Sequence, residues 1–381
     1  MIYLDYNATT PVDERVLNEM LPYFSQQFGN AASAHPYGFN SKKAVDITRE
    51  KIAQKLHCEA QEIIFTSGAT ESINLAIKGV FEMYAEKGNH IITVATEHKA
   101  VLDTCNNIAN KGGEITYLSV DKNGLINLDE LRKAIQPSTI LIAVMYANNE
   151  TGVIQPVKEI GEIAKENNIL FFSDATQAVG KTEINVMEEN IDLLCFSGHK
   201  IYAPKGIGGL YIRRKNPRVA LAEQINGGGH ERGWRSGTLN VPSIVALGKA
   251  INLFSKEENI YIKNLRDQLE RGLLQIEGTS LNGDVTKRMF NVSNISFANI
   301  NGKMLIADLT KEIAVSSGSA CSSASVEPSH VLEAMGVVEQ LTRSSVRFSL
   351  GRFTSKEEID FTIHFVQETV KKLRSINHST L

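Results

Sequence analysis

Ser197-Gly198-His199-Lys200 follows the apolar run Ile191-Asp192-Leu193-Leu194-Cys195-Phe196, which puts a lysine at the carboxyl end of a buried strand. Such a lysine suits covalent chemistry. Once desolvation or neighbouring charge lowers its pKa, the amine can form a Schiff base with a bound aldehyde. Taken alone, Lys200 would read as a solvated loop lysine, the commoner fate of that residue type. A second apolar run, Ile169-Leu170-Phe171-Phe172-Ser173-Asp174, ends in a carboxylate. Ligands of open α/β sheets sit outside strand carboxyl ends, so the two runs offer complementary groups to one ligand. Pyridoxal phosphate needs both, an amine for its aldehyde and a carboxylate that keeps its ring nitrogen protonated so that the ring acts as an electron sink.

The phosphate needs a third element. Glu62-Ile63-Ile64-Phe65-Thr66-Ser67-Gly68-Ala69-Thr70-Glu71-Ser72 reads as a strand, a turn of small residues and a helix start. That arrangement aims unpaired N–H groups at an anion, with Gly68 and Ala69 letting the backbone approach and Thr70 adding a hydroxyl. By itself the segment reads equally well as an ordinary capped helix.

The surrounding elements are legible from periodicity. Strand-like runs alternate with helical patterns from Glu62 to about Ile212, the mark of a parallel sheet covered by helices. The expected strands include 90–95, 114–118 and 139–145, and the expected helices 99–110 and 157–167. After Gly248 the pattern changes. Leu265, Leu269, Leu273 and Ile276 share one helical face, strands are expected at 291–297 and 345–349, and Ile359, Ile363, Val366, Val370 and Leu373 mark a closing helix. A smaller α+β domain is expected to begin near Ser255.

Ten motifs, in order and nearly end to end, resemble the NifS/IscS-type cysteine desulfurases of the class V aminotransferase family. They are residues 3–11 (Tyr-Leu-Asp-Tyr-Asn-Ala-Thr-Thr-Pro), 28–30, 66–72, 96–99, 148–152, 174–177, 197–200, 235–239, Ser317-Gly318-Ser319-Ala320-Cys321, and Arg347-Phe348-Ser349. The resemblance implies a fold type I pyridoxal phosphate transferase of the α/β class. Its large domain, residues 13–255, would carry a mostly parallel sheet flanked by helices, and its small α+β domain would comprise 1–12 and 256–381. The active site would lie in the cleft between them.

The implied activity is removal of sulfur from L-cysteine, leaving L-alanine and a persulfide on Cys321. Lys200 would be the Schiff-base lysine and proton shuttle. Asp174 would pair with the pyridinium nitrogen and Gln177 would reach the phenolic oxygen. His98 would stack on the ring and assist proton transfer. Thr70, Ser197 and His199 would hold the phosphate, with Thr238 supplied by the neighbouring subunit of a homodimer. Asn149 and Arg347 would engage the substrate, Arg347 taking its carboxylate in a bidentate fork. Cys321 would separate this reaction from transamination, since thiolate is the attacking nucleophile. Without the resemblance it would read as one more inert thiol, as Cys58, Cys105 and Cys195 do. A selenocysteine lyase or another enzyme of the aminotransferase family is the alternative. The implied sulfur acceptor is a protein such as an iron–sulfur scaffold. Ala31-Ala32-Ser33 and Ala34-His35-Pro36 depart from the usual pattern in a segment expected near the substrate.

Composition agrees. The 381 residues suffice for two domains. Four cysteines without regular spacing give no disulfide framework and no metal pattern, which favours a reducing, cytoplasmic setting. No signal peptide is expected at the amino terminus, because Met1-Ile2-Tyr3-Leu4 meets Asp5 before an apolar stretch develops. The longest apolar run, 140–147, is far too short to span a membrane. A formal net charge of −3 gives no footprint for nucleic acid. Gly180-Lys181-Thr182 lacks the glycine a nucleotide-binding loop requires five residues earlier, where Ala175 stands.

Overall fold

The computed structural model describes residues 1–317 and 328–378. Ile63–Thr66 (β1), His90–Val94 (β2), Glu114–Leu118 (β3), Thr139–Ala143 (β4), Leu170–Asp174 (β5), Leu193–Ser197 (β6) and Gly208–Ile212 (β7) form one sheet in the order β1-β7-β6-β5-β4-β2-β3. Every residue of these strands is buried except in β3, which lies at the sheet edge. Burial on both faces is why they read as continuous apolar runs rather than as alternating ones. Leu194 and Phe196 face one layer with Ile160 and Ile163, while Leu193 and Cys195 face the other with Ile73 and Ile77. Each such side chain withdrawn from water contributes about 1.5–3 kcal/mol.

From β6 through β5, β4 and β2 to β3 all pairings are parallel. β7 runs antiparallel to both β6 and β1. The two reversals cancel, so β1 points the same way as β6. The carboxyl ends of β1, β2, β4, β5 and β6 therefore share one edge, and every segment carrying an expected cofactor contact of this chain's own sheet emerges there.

A separate hydrophobic cluster joins Leu4 to Leu265 and Leu269 of the helix Lys256–Leu273 and to Ile359, Val366 and Val370 of the helix Lys356–His378. These helices pack with an antiparallel sheet of Thr279–Leu281, Val292–Phe297, Ser345–Ser349 and Ser316–Ser317. The helix expected to include Ile276 stops at Leu273, and Ile276 packs on the same cluster from the following turn, where Gly278 takes φ +68°.

The first ten residues tie the two clusters together. Ile2–Tyr3 pairs with Ile313–Ala314, and Asp5 bridges to Ser349. Beyond Tyr6 the chain crosses to the large sheet, where Thr10 N donates to the His199 carbonyl at 2.9 Å. Asp13 caps the helix Glu14–Met20 and accepts from Arg352 Nη1 at 2.6 Å. Its hydrogen bond from Arg15, with help from Arg352, holds that carboxyl well below the usual carboxylate range. Among the described residues no helix is long and apolar enough to cross a membrane.

Candidate active site

The strand edge borders a cleft of about 460 Å³. β6 ends at Ser197, and one 3₁₀ turn, Gly198–Lys200, swings Lys200 over the edge. Gly198 is needed there, since a Cβ would stand 2.9 Å from Ile207 Cγ2 and 3.1 Å from Ala203 Cβ. Lys200 Nζ donates to the carbonyls of Asn7 and Ala8, each at 2.7 Å. The amine thus reaches the cleft mouth steered by backbone oxygens from the far end of the sequence.

Asp174 ends the neighbouring strand and is only 6% exposed. Its Oδ1 accepts from Thr176 N at 2.9 Å, from the Thr176 hydroxyl, and from Cys195 Sγ at 3.4 Å. Oδ2 accepts no hydrogen bond among the described residues, and the side chain lines the cleft. Glu97, wholly buried nearby, accepts from Met145 N at 2.5 Å through Oε1 and has no partner for Oε2 among the described residues. Desolvation, reinforced by the Asp174 charge, pushes Glu97 well up from the usual carboxylate range.

The helix Ala69–Met83 begins at Gly68, which has no side chain with which to cap it. The N–H groups of its first turn lie beyond intrahelical reach and face the cleft with Thr70. Glu71 accepts from Ser67 N and from Arg235 Nε, each at 2.8 Å, which fixes the turn from outside. Ser197 and His199 close the same corner, along with Lys205. Burial, and then the charges of Lys200, Lys205 and Lys181, pull His199 down to about 4, so its ring is neutral near pH 7.

His98 caps the helix Lys99–Ala109 by accepting from Ala100 N at 3.1 Å through Nδ1, which leaves Nε2 to carry the proton of the neutral ring. Asn149 follows β4 and lines the cleft, as does Arg347 from the second sheet. Arg347 is 2% exposed, pairs with Asp5 through Nη2 at 2.8 Å and with the Asn149 carbonyl through Nη1 at 3.0 Å, and leaves Nε without a partner among the described residues.

Lys200, Asp174, Gln177, His98, Gly68, Ala69, Thr70, Ser197, His199, Asn149 and Arg347 thus line one cleft. Thr238 is exposed and lies outside it. Residues 31–36 do not line it either; they lead into the helix Pro36–Leu56, which His35 caps. Cys321 lies outside the described residues. Asn7 and Ala8, whose carbonyls hold Lys200, and Glu97 and Lys181, buried nearby, were given no role in the sequence reading. Cys195, taken there for an inert core thiol, touches Asp174.

The family described as "Aminotransferase class-V" matches residues 2–361. The chain belongs to the class V aminotransferase family. Among curated relatives, the cysteine desulfurase IscS of Buchnera aphidicola subsp. Baizongia pistaciae is 53% identical over 382 residues, covering 99% of this chain and 94% of that protein. The cysteine desulfurase IscS of Haemophilus influenzae strain PittGG is 52% identical with the same coverage. A solved NifS-like protein is 38% identical with a TM-score of 0.91, covering 98% of this chain and all of its own, 100%. The structure of SspA in complex with cysteine is 38% identical with a TM-score of 0.84 over 93% of this chain and 100% of its own.

Class V aminotransferases use pyridoxal 5'-phosphate, and this cleft fits it. An amine stands at one strand end, a carboxylate with one oxygen unbonded among the described residues at the next, and a helix start without a side-chain cap at a third.

Proposed function

We infer that this chain is a pyridoxal 5'-phosphate-dependent cysteine desulfurase that converts L-cysteine to L-alanine and collects the sulfur as a persulfide on Cys321. The observation that carries this reading is the meeting of Lys200 and Asp174, from adjacent strands, with Arg347 from the second sheet in one cleft. In the reaction the substrate's C–S bond breaks, an S–S bond to Cys321 Sγ forms, and the substrate carbon takes up the electron pair and a proton. Thiol and L-cysteine become persulfide and L-alanine without an outside oxidant.

When bound, the cofactor supplies an electron sink for charge developing on the substrate. The residues proposed to hold it are Asp174 at the ring nitrogen, Gln177 at the phenolic oxygen, His98 at the ring face, and Gly68, Ala69, Thr70, Ser197 and His199 at the phosphate. Lys200 anchors it covalently and carries protons at Nζ, which the Asn7 and Ala8 carbonyls hold at the cleft. Arg347 and Asn149 seat the substrate, Arg347 with its guanidinium already oriented by Asp5. Cys58, Cys105 and Cys195 are poor candidates for the nucleophile, because burial raises all three thiols, Cys105 to about 12. Ser316, five residues before Cys321, pairs with Arg347.

A homodimer with Thr238 donated to the partner's phosphate site completes the proposal. Support comes from the exposed Leu21, Phe24, Phe28, Tyr37 and Phe39, an apolar stretch of the kind that marks interfaces. The proposed setting is cytoplasmic, where thiols stay reduced, and the proposed recipient is a sulfur-accepting protein such as an iron–sulfur scaffold.

Replacing Lys200 tests the whole reading. Lys200→Ala should lose turnover and the covalent link to the cofactor while keeping its fold. Wild-type protein free of pyridoxal 5'-phosphate by mass spectrometry after acid release, or a Lys200→Ala variant that still makes alanine, refutes it.

A further inference from the structure

Lys181 lies in the turn after β5, in the segment whose Gly180-Lys181-Thr182 sequence only superficially suggests nucleotide binding. The fold turns this lysine inward. Gly180 adopts φ +72°, and a Cβ there would stand 2.9 Å from Ile201 Cγ2, so the chain reverses tightly against the residue that follows Lys200. Lys181 is left 9% exposed, and its Nζ donates to Gln177 Oε1 at 2.8 Å. Burial first, then the charges of Lys200 and Arg347, pull Lys181 down to about 7. In the structure the amine donates to Gln177.

A lysine that only donates in its charged form dictates which end of an amide faces it. With Oε1 toward Lys181, Gln177 Nε2 donates to the Asn7 carbonyl at 3.0 Å. The second N–H of that nitrogen has no partner among the described residues, on a 4% exposed side chain that lines the cleft with Lys200 and Asp174. The Asn7 carbonyl favours the same amide orientation but is shared with Lys200 Nζ at 2.7 Å. Lys181 holds Gln177 independently of Lys200.

We propose that Lys181 is a positioning residue, which by holding Gln177 Oε1 makes an N–H, rather than a carbonyl oxygen, face the phenolic oxygen of the cofactor's ring. This rests on the assignment of Gln177 to that oxygen made above. Without the lysine, Gln177 keeps a buried oxygen with no donor and its amide is free to turn over, at the cost of a hydrogen bond to the ligand.

The test is a double-variant cycle read on cofactor binding and on the visible absorption of the bound cofactor, with no turnover required. Lys181→Met keeps the apolar stem and removes the donor; it should bind pyridoxal 5'-phosphate about tenfold more weakly and shift the absorption band. Gln177→Ala should do the same, and the double variant should be no weaker than Gln177→Ala alone. Additive losses, or a Lys181→Met variant with wild-type affinity and spectrum, overturn the proposal. A Gln177→Ala variant with wild-type affinity and spectrum overturns the assignment of Gln177 itself, which separates the two failures. If Lys181→Met does not fold, Gln177→Glu carries the test, because it keeps the bond to Lys181 and removes the N–H. It should lose some melting temperature, because a carboxylate cannot donate to the Asn7 carbonyl, and should bind the cofactor about tenfold more weakly; wild-type affinity there overturns the assignment of Gln177 and the proposal that rests on it.

Discussion

Arg347 Nη2 stands 2.8 Å from Asp5 Oδ1, so the guanidinium assigned to the substrate carboxylate is oriented by a carboxylate of the amino-terminal segment. Because Nη1 is held on the Asn149 carbonyl, the fork has a fixed direction before substrate arrives. Arg347→Lys keeps the charge but loses the fork. It should lower kcat/KM for L-cysteine about 100-fold, chiefly through KM, while the absorbance of the bound cofactor stays as in wild type. An unchanged KM would remove Arg347 from the substrate site.

Asp174→Asn isolates charge from geometry. The amide oxygen can still accept from Thr176 N, so circular dichroism and melting should stay close to wild type. Alanine production should fall by about 10²–10³, the loss typical of one oriented electrostatic group in a dry site. Turnover near wild type would contradict the assigned role.

The cysteines separate cleanly. Cys321→Ser should still bind L-cysteine and change the cofactor's visible spectrum, then stall without alanine or persulfide, since serine is a far weaker nucleophile and cannot store sulfane sulfur. Cys58→Ser and Cys105→Ala should transfer sulfur, with only packing losses at Cys105, which is buried. Mass spectrometry of wild type incubated with L-cysteine, without reductant, should find one added sulfur on the peptide that contains Cys321. Sulfur on another cysteine sinks the assignment.

Glu150 gives a pH signature. Its carboxyl is buried, accepts from Ser329 Oγ at 2.5 Å, and is raised by desolvation from its ordinary 4.5 to about 7. A folded-state pKa above the unfolded one means that the native chain holds its proton longer, so stability is lost as pH rises from about 4.5 through about 7. Glu150→Gln keeps an acceptor for Ser329 and does not titrate. Its melting temperature relative to wild type should therefore climb between pH 4.5 and pH 7. A constant difference across that window would show that Glu150 titrates normally.

What could be read from the chain alone follows from where each signal resides. Lys200 and Asp174 stood out because a charged residue ending a continuous apolar run is conspicuous, and buried parallel strands produce such runs. The antiparallel β7 was not legible: Gly208–Ile212 has the apolar character of its neighbours, and direction leaves no mark on composition. Asn7 and Ala8 were recognisable as part of a motif, but a backbone carbonyl carries no side-chain signal, so their grip on Lys200 appeared only in three dimensions. Glu97 and Glu150 resemble surface acids on paper, and their protonation depends on burial set by distant strands. Lys181 was set aside with a motif it does not complete, although its spacing of four from Gln177 was visible.

Asp5 and Arg347 are 342 positions apart in the sequence, and the Lys200 anchors at Asn7 and Ala8 belong to that same opening stretch. On a ribosome adding about 5–20 residues per second, the beginning of the chain waits on the order of half a minute for its partners in the final strand. The large sheet is complete by Ile212 and can form while synthesis continues, but the cleft cannot close until almost the last helix has emerged. A nascent chain of this design has its core before it has its cleft.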